Sequence, residues 1–101
     1  MYTRMMIVEA NSEKEVEEVI HQMVMHCLKV EAQAQIMSEE DGRMVVLNLT
    51  FSDGLESGRY GRSAEYRTLL KSIGHLLVGD PVVKHFKSFT TFSLPLKFHP
   101  A

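Results

Sequence analysis

The chain has 101 residues, 45% of them hydrophobic and 24% charged, with a formal net charge of −2 at pH 7. That length fits one domain over residues 1–101, which can remove about 65% of its unfolded surface from water and so needs neither disulfide nor metal to fold. The near-neutral charge supplies no global field for holding nucleic acid, and no apolar run approaches the about 18 residues of a membrane span, so neither partner is expected.

Tyr2 to Ala10 holds a short apolar run closed by Asn11-Ser12 and reads as a first strand. Ser12 and Glu15 stand at the spacing of a capping box, in which each side chain satisfies the other's free backbone N–H, so a helix should begin there. Val16, Val19, Ile20, Met23 and Cys27 then recur on one helical face, while Glu13, Lys14, Glu17, Glu18 and Gln22 fall elsewhere. From Val30 the period changes to two: Val30, Ala32, Ala34 and Ile36 alternate with Glu31, Gln33 and Gln35 in a second strand. Asp41-Gly42 predicts a two-residue type I′ hairpin turn, and Met44 to Phe51, rich in Val and Leu, is the returning strand. Ser52 to Arg62 carries three glycines and no periodicity and reads as a long loop. Ser63 can cap a second helix with Tyr66, Leu69, Leu70, Ile73 and Leu77 on its core face, ended by Gly79-Asp80-Pro81. Val82 to Leu94, β-branched and aromatic, is the fourth strand, and Pro95 interrupts it before an extended tail to Ala101.

The order strand, helix, strand, strand, helix, strand predicts an α+β, ferredoxin-like βαββαβ domain: a four-stranded antiparallel sheet with two helices on one face. An antiparallel sheet with one wet face should alternate cleanly between apolar and polar residues. Here Val45, Leu47, Leu49 and Phe51 oppose Met44 and Val46, Met6 and Val8 oppose Met5 and Ile7, and Phe86 and Phe92 oppose Phe89. Both faces therefore read as partly dry, and a homodimer with its sheets packed face to face would cover the second one.

Residues Gly42 to Asp53 (Gly-Arg-Met-Val-Val-Leu-Asn-Leu-Thr-Phe-Ser-Asp) resemble the hairpin and third strand of the dimeric α+β barrel superfamily, particularly its antibiotic biosynthesis monooxygenase-like domains. In those domains an apolar run ends in an aromatic, usually Trp, followed by an acidic residue. Tyr66 to Lys84, with its Leu-Leu, Gly-Asp-Pro and Val-Val, is similar to their second helix and entry into the last strand. The resemblance covers about half of the chain and implies a dimeric barrel with monooxygenase-like chemistry. Members that degrade haem or oxidise polyketides depend on a polar first-strand residue, a Trp late in the third strand and, in the haem group, a His on the second helix. This chain has Met5, Met6 and Ile7, Phe51 and His75 at those places. The departures argue against oxygenase activity while leaving the fold and dimer in place, and whether the chain is an enzyme stays open.

The candidate site is a cavity between helices and sheet beside Phe51, closed by the Ser52 to Arg62 segment and taking a small organic ligand oriented by Arg59, Tyr60 or Arg62. The alternative is a regulatory or interaction module in which Arg59, Arg62 and Arg67, at the entry to the second helix, hold RNA or nucleotide phosphates or a protein partner. No paired aromatics stand on the open parity of the third strand, which argues against RNA stacking there. His21 and Met25 share a helical face, but the chain has no Cys-x-x-Cys or His-Glu-x-x-His, so no metal or other cofactor is expected. No nucleophile elbow is present, and Glu17-Glu18 and Glu39-Glu40 fall in wet positions. The single cysteine, Cys27, has no internal partner and fits a reducing, cytoplasmic setting.

Overall fold

Strand pairing, rather than helix packing, sets the frame of the molecule. The computed structural model describes residues 1–89. Four strands, β1 (Tyr2–Glu9), β2 (Gln33–Ser38), β3 (Met44–Phe51) and β4 (Val82–Lys87), form an antiparallel sheet in the order β2-β3-β1-β4. Helices α1 (Glu13–Cys27), α2 (Gly54–Gly61) and α3 (Ala64–Ile73) cover one face, and a short 3-10 turn, Gly74–Leu76, follows α3. This is the expected ferredoxin-like arrangement with one helix added.

The register fixes the two faces. Arg4 pairs with Leu49, Met6 with Leu47 and Val8 with Val45, so these side chains share the helix-facing side. Met6, Val8, Val45, Leu47, Leu49 and Phe51 are buried there against Val19, Met23, Leu69 and Ile73 of the helices. On the opposite side Ile7 lies between Val46 and Val82, and Met5 between Asn48 and Lys84. No described helix covers that side, where Met37, Met44, Val82 and Phe86 are exposed.

Each helix has a local cause. Ser12 precedes α1 in extended backbone, but its hydroxyl donates to the Glu15 carboxylate at 2.9 Å and caps no backbone N–H, so the expected reciprocal box is replaced by a bond between the two side chains. Glu13 and Glu15 still oppose the positive end of the helix dipole. Ser63 caps α3 as expected, accepting from the Tyr66 N–H at 3.2 Å.

Three elements differ from the sequence reading. The Ser52 to Arg62 segment is helical over Gly54–Gly61, with Asp53 Oδ1 accepting from the Glu56 N–H at 2.8 Å. Its glycines lower helix propensity, but they let the helix lie close to the sheet. A Cβ on Gly54 would come within 3.3 Å of the Tyr2 ring, and one on Gly61 within 2.6 Å of the Arg4 guanidinium. The hairpin is no type I′ turn: Asp41 alone has positive φ, at 56°, and Glu39 N–H donates to Met44 O, closing a longer loop. Finally, the second strand starts at Gln33, because Lys29 and Val30 are used in a turn that returns their N–H groups to His26 and Cys27. The fourth strand ends at Lys87, short of the expected Ser88 and Phe89, and the rest of the expected strand to Leu94, with Phe92 and the Pro95 tail, lies outside the described residues.

Asp53 distinguishes a helix cap from a loop residue. Asp53→Ala should cost about 1 kcal/mol in urea denaturation, with Asp53→Asn recovering most of it. Equal stability of all three proteins would mean that α2 does not depend on this cap.

Candidate functional site

Helix α2 turns two of its side chains inward, Ser57 and Tyr60, one turn apart and both buried. Tyr60 then meets every neighbouring element. Its hydroxyl and His26 Nε2 of α1 share a buried hydrogen bond of 2.6 Å, either partner donating according to the imidazole tautomer. Its ring lies 5.4 Å from Phe51 at the end of β3 and 5.2 Å from Tyr66 of α3, inside the range of favourable tilted aromatic contacts. The Arg4 guanidinium of β1 stands 5.5 Å from the Tyr60 ring and 4.8 Å from the Tyr66 ring, close enough for a cation–π contact with each.

Burial decides the protonation states. It pushes the Tyr60 phenol well above its ordinary range, with Tyr66 adding to the shift and Arg4 opposing it, so Tyr60 stays neutral. It also lowers His26 below its ordinary 6.5; the Glu65 carboxylate partly offsets this and Lys29 reinforces it. Burial raises the Cys27 thiol, which packs on the core as a small apolar group. The interior therefore holds a neutral imidazole–phenol pair, with the half-buried Arg4 guanidinium beside it.

Clefts open on three sides of this cluster. One of about 330 Å³ is lined by Phe51, Tyr60, Arg59, Val30, Glu56 and Glu65, among others. A second, about 280 Å³, lies between α1 and α3, where His26 and Leu69 form its floor. The third, about 210 Å³, separates α2 from β1 and β4 and is reached by Arg4 and His85. Among the described residues, no group of three His, Cys, Asp or Glu side chains is arranged to hold a metal ion.

Of the residues predicted from sequence, Phe51, Arg59 and Tyr60 line one cleft together. Arg62 lies outside that lining; its carbonyl accepts from Arg67, and its guanidinium is beside Gly58. The segment carrying these residues is a helix, which overturns the expectation of a loop closing the cavity. His75 sits exposed on the 3-10 turn, and Met5 and Ile7 face the uncovered side of the sheet. Sequence reasoning missed Arg4 and His26. Arg4 has the parity of Met6 and Val8, which places a charge on the core side of a central strand. His26 follows Met23 by three and Val19 by seven, squarely on the apolar stripe of α1.

No family model and no curated protein matches this sequence. Solved structures do. A proposed antibiotic biosynthesis monooxygenase from Nitrosomonas europaea superposes with a TM-score of 0.75 at 11% identity, covering 89% of this chain and 100% of that one. The fold is that of the antibiotic biosynthesis monooxygenase-like proteins. A further protein proposed to be such a monooxygenase, from Deinococcus radiodurans, gives a TM-score of 0.76 at 7% identity over 93% of this chain and 98% of its own. SnoaB, a cofactor-independent oxygenase from Streptomyces nogalater, gives 0.69 at 13% identity over 89% and 94%. At these identities the likeness concerns the backbone. No described helix is long and apolar enough to cross a membrane.

His26 gives the site a pH signature. Because its folded pKa lies below 6.5, the unfolded chain binds more protons between the two values, and stability falls as pH drops through 6.5. His26→Gln, which can still bond the Tyr60 hydroxyl, should lose this part of the acid dependence. Parallel wild-type and variant melting profiles between pH 7.5 and 5 would contradict a neutral, buried His26.

Proposed function

We propose that the chain is a single cytoplasmic domain, working as a homodimer, that binds a small organic molecule in the cleft beside Phe51 and Tyr60. The observation that carries this reading is the pair of rings themselves. Phe51 and Tyr60 are 5% and 7% exposed, yet both line a cleft of about 330 Å³, so an apolar interior can be reached from solvent along α2. Lys29 and Arg59 share that cleft with Glu31, Glu56 and Glu65, a balance that favours an uncharged or zwitterionic ligand over a phosphate.

The same residues argue against the phosphate-binding alternative. Ser63 already caps the first turn of α3, and Arg59 has three carboxylates lining its cleft. The dimer is supported by the uncovered sheet face, where Met5, Ile7 and Val46 are flanked by exposed Met37, Met44, Val82 and Phe86. Oxygenase activity, which the name of SnoaB gives to that protein, finds no support in Met5, Met6, Ile7, Phe51 or His75 of this chain.

1-Naphthol, a neutral bicyclic ring system, is a suitable probe. Titration followed by amide NMR should be saturable, with the largest shifts at Val30, Phe51 and Tyr60. Phe51→Leu keeps apolar volume and removes the ring, worth about 0.5–1.5 kcal/mol of aromatic contact, so affinity should fall several-fold. Saturable binding with shifts elsewhere, or unchanged affinity in a folded Phe51→Leu, would overturn this assignment.

A further inference from the structure

Arg4 is a cation facing the protein interior, yet the structure gives it no anion. It occupies the helix-facing side of central strand β1, and its Nε is buried without a hydrogen-bond partner. Among the described residues its guanidinium has no carboxylate within ion-pair distance, the Arg43–Glu9 bridge being the one ion pair formed. Stacking on Tyr60 and Tyr66 steadies the guanidinium plane but leaves its donors unused. Arg4 is half-buried, but its Nε is shut off from water with no acceptor, which is unfavourable, and a carboxylate, which matches the guanidinium fork, is its natural complement.

The surroundings of Arg4 agree with that need. The cleft of about 210 Å³ between α2 and strands β1 and β4 is lined by Tyr2, Arg4, Ser57 and His85, among others, and no carboxylate lines it. His85 is the register partner of Arg4, and Lys87, the partner of Tyr2, holds its ammonium 5.9 Å from the Tyr2 ring centroid. Arg4 and the exposed His85 thus line the cleft together, with Lys87 against its Tyr2 ring. Ser57 is 7% exposed, and among the described residues no hydrogen bond holds its hydroxyl, which leaves it free to donate to a ligand.

We infer that this cleft is a binding site for a small organic carboxylate of about one ring in size. Arg4 holds the carboxylate, Ser57 and His85 complete its hydrogen bonds, and the Tyr2 ring flanks the apolar body. The site is on the opposite flank of α2 from the cleft beside Phe51, and it stands or falls independently of ligand binding there.

Benzoate is the probe, with benzamide as its neutral isostere and inorganic phosphate as the anion without an apolar body. In the wild-type protein, the Arg4 Nε–Hε NMR signal should shift saturably with benzoate. Benzamide should bind at least about tenfold more weakly, as expected for losing charge-assisted bonds. Arg4→Met should weaken benzoate by a similar factor, Arg4→Lys by less, and Phe51→Leu should leave it unchanged. An Arg4 signal that does not move, equal affinity for benzamide, or tighter binding of phosphate than benzoate would overturn the assignment. The Arg4 signal is read in the wild-type chain, so the test holds even where Arg4→Met does not fold.

Discussion

Pleating sends Met5 and Met6, or Val45 and Val46, to opposite sides of the sheet, and nothing in the chain can relax that alternation. The central strands carry apolar residues at both parities, so covering one side with helices leaves the other unsolved. The helix-facing parity, Met6, Val8, Val45, Leu47 and Leu49, closes into a core with essentially no exposed area. The other parity leaves Met37, Met44, Val82 and Phe86 between 40% and 52% exposed. At roughly 25 cal/mol per Å² of apolar surface removed from water, covering that face is a substantial driving force, which is the physical content of the proposed dimer.

The same parity rule carries Arg4 into the interior. A charged residue two positions before Met6 has to face the helices, and α2 is shaped around it: Gly61 passes beside the guanidinium, and Tyr60 and Tyr66 lie within cation–π reach. Tyr60 then ties α2 to α1 through His26, so one phenol links β1, β3 and the three helices. That arrangement leaves clefts on both flanks of a short helix. One flank is lined by Phe51 and mixed charges, the other by Arg4 and His85 with no acid. The two chemistries suit different ligands, which is why they are assigned separately.

Much of the fold was legible because it depends on long periodic signals. The stripe of α1 and the Val and Leu alternation of β3 survive any local irregularity, and together they fix element order and strand faces. Helix α2 was not legible: eight residues with three glycines offer one inward turn, and its stability comes from the Asp53 cap and from Tyr60 reaching the core. The hairpin failed for a similar reason, since Asp41 alone adopts the left-handed backbone that the Asp-Gly pair implied for both residues. Of the site, Phe51, Arg59 and Tyr60 were found as neighbours in sequence that stay neighbours in space. Arg4 and His26 come from distant segments, and only the counting of parity on β1 and of heptad spacing on α1 marks them.

The account rests most heavily on the claim that the two faces of the sheet have different covers, helices on one and a second copy of the chain on the other. Molar mass by light scattering across a concentration series, at two salt concentrations, tests this directly. The account predicts twice the chain mass, with little dependence on salt because the Met5, Ile7, Met37, Val46, Val82 and Phe86 part of that face drives the association. A mass of one chain throughout the series would contradict it and leave the Met5, Ile7 and Val46 face without an occupant.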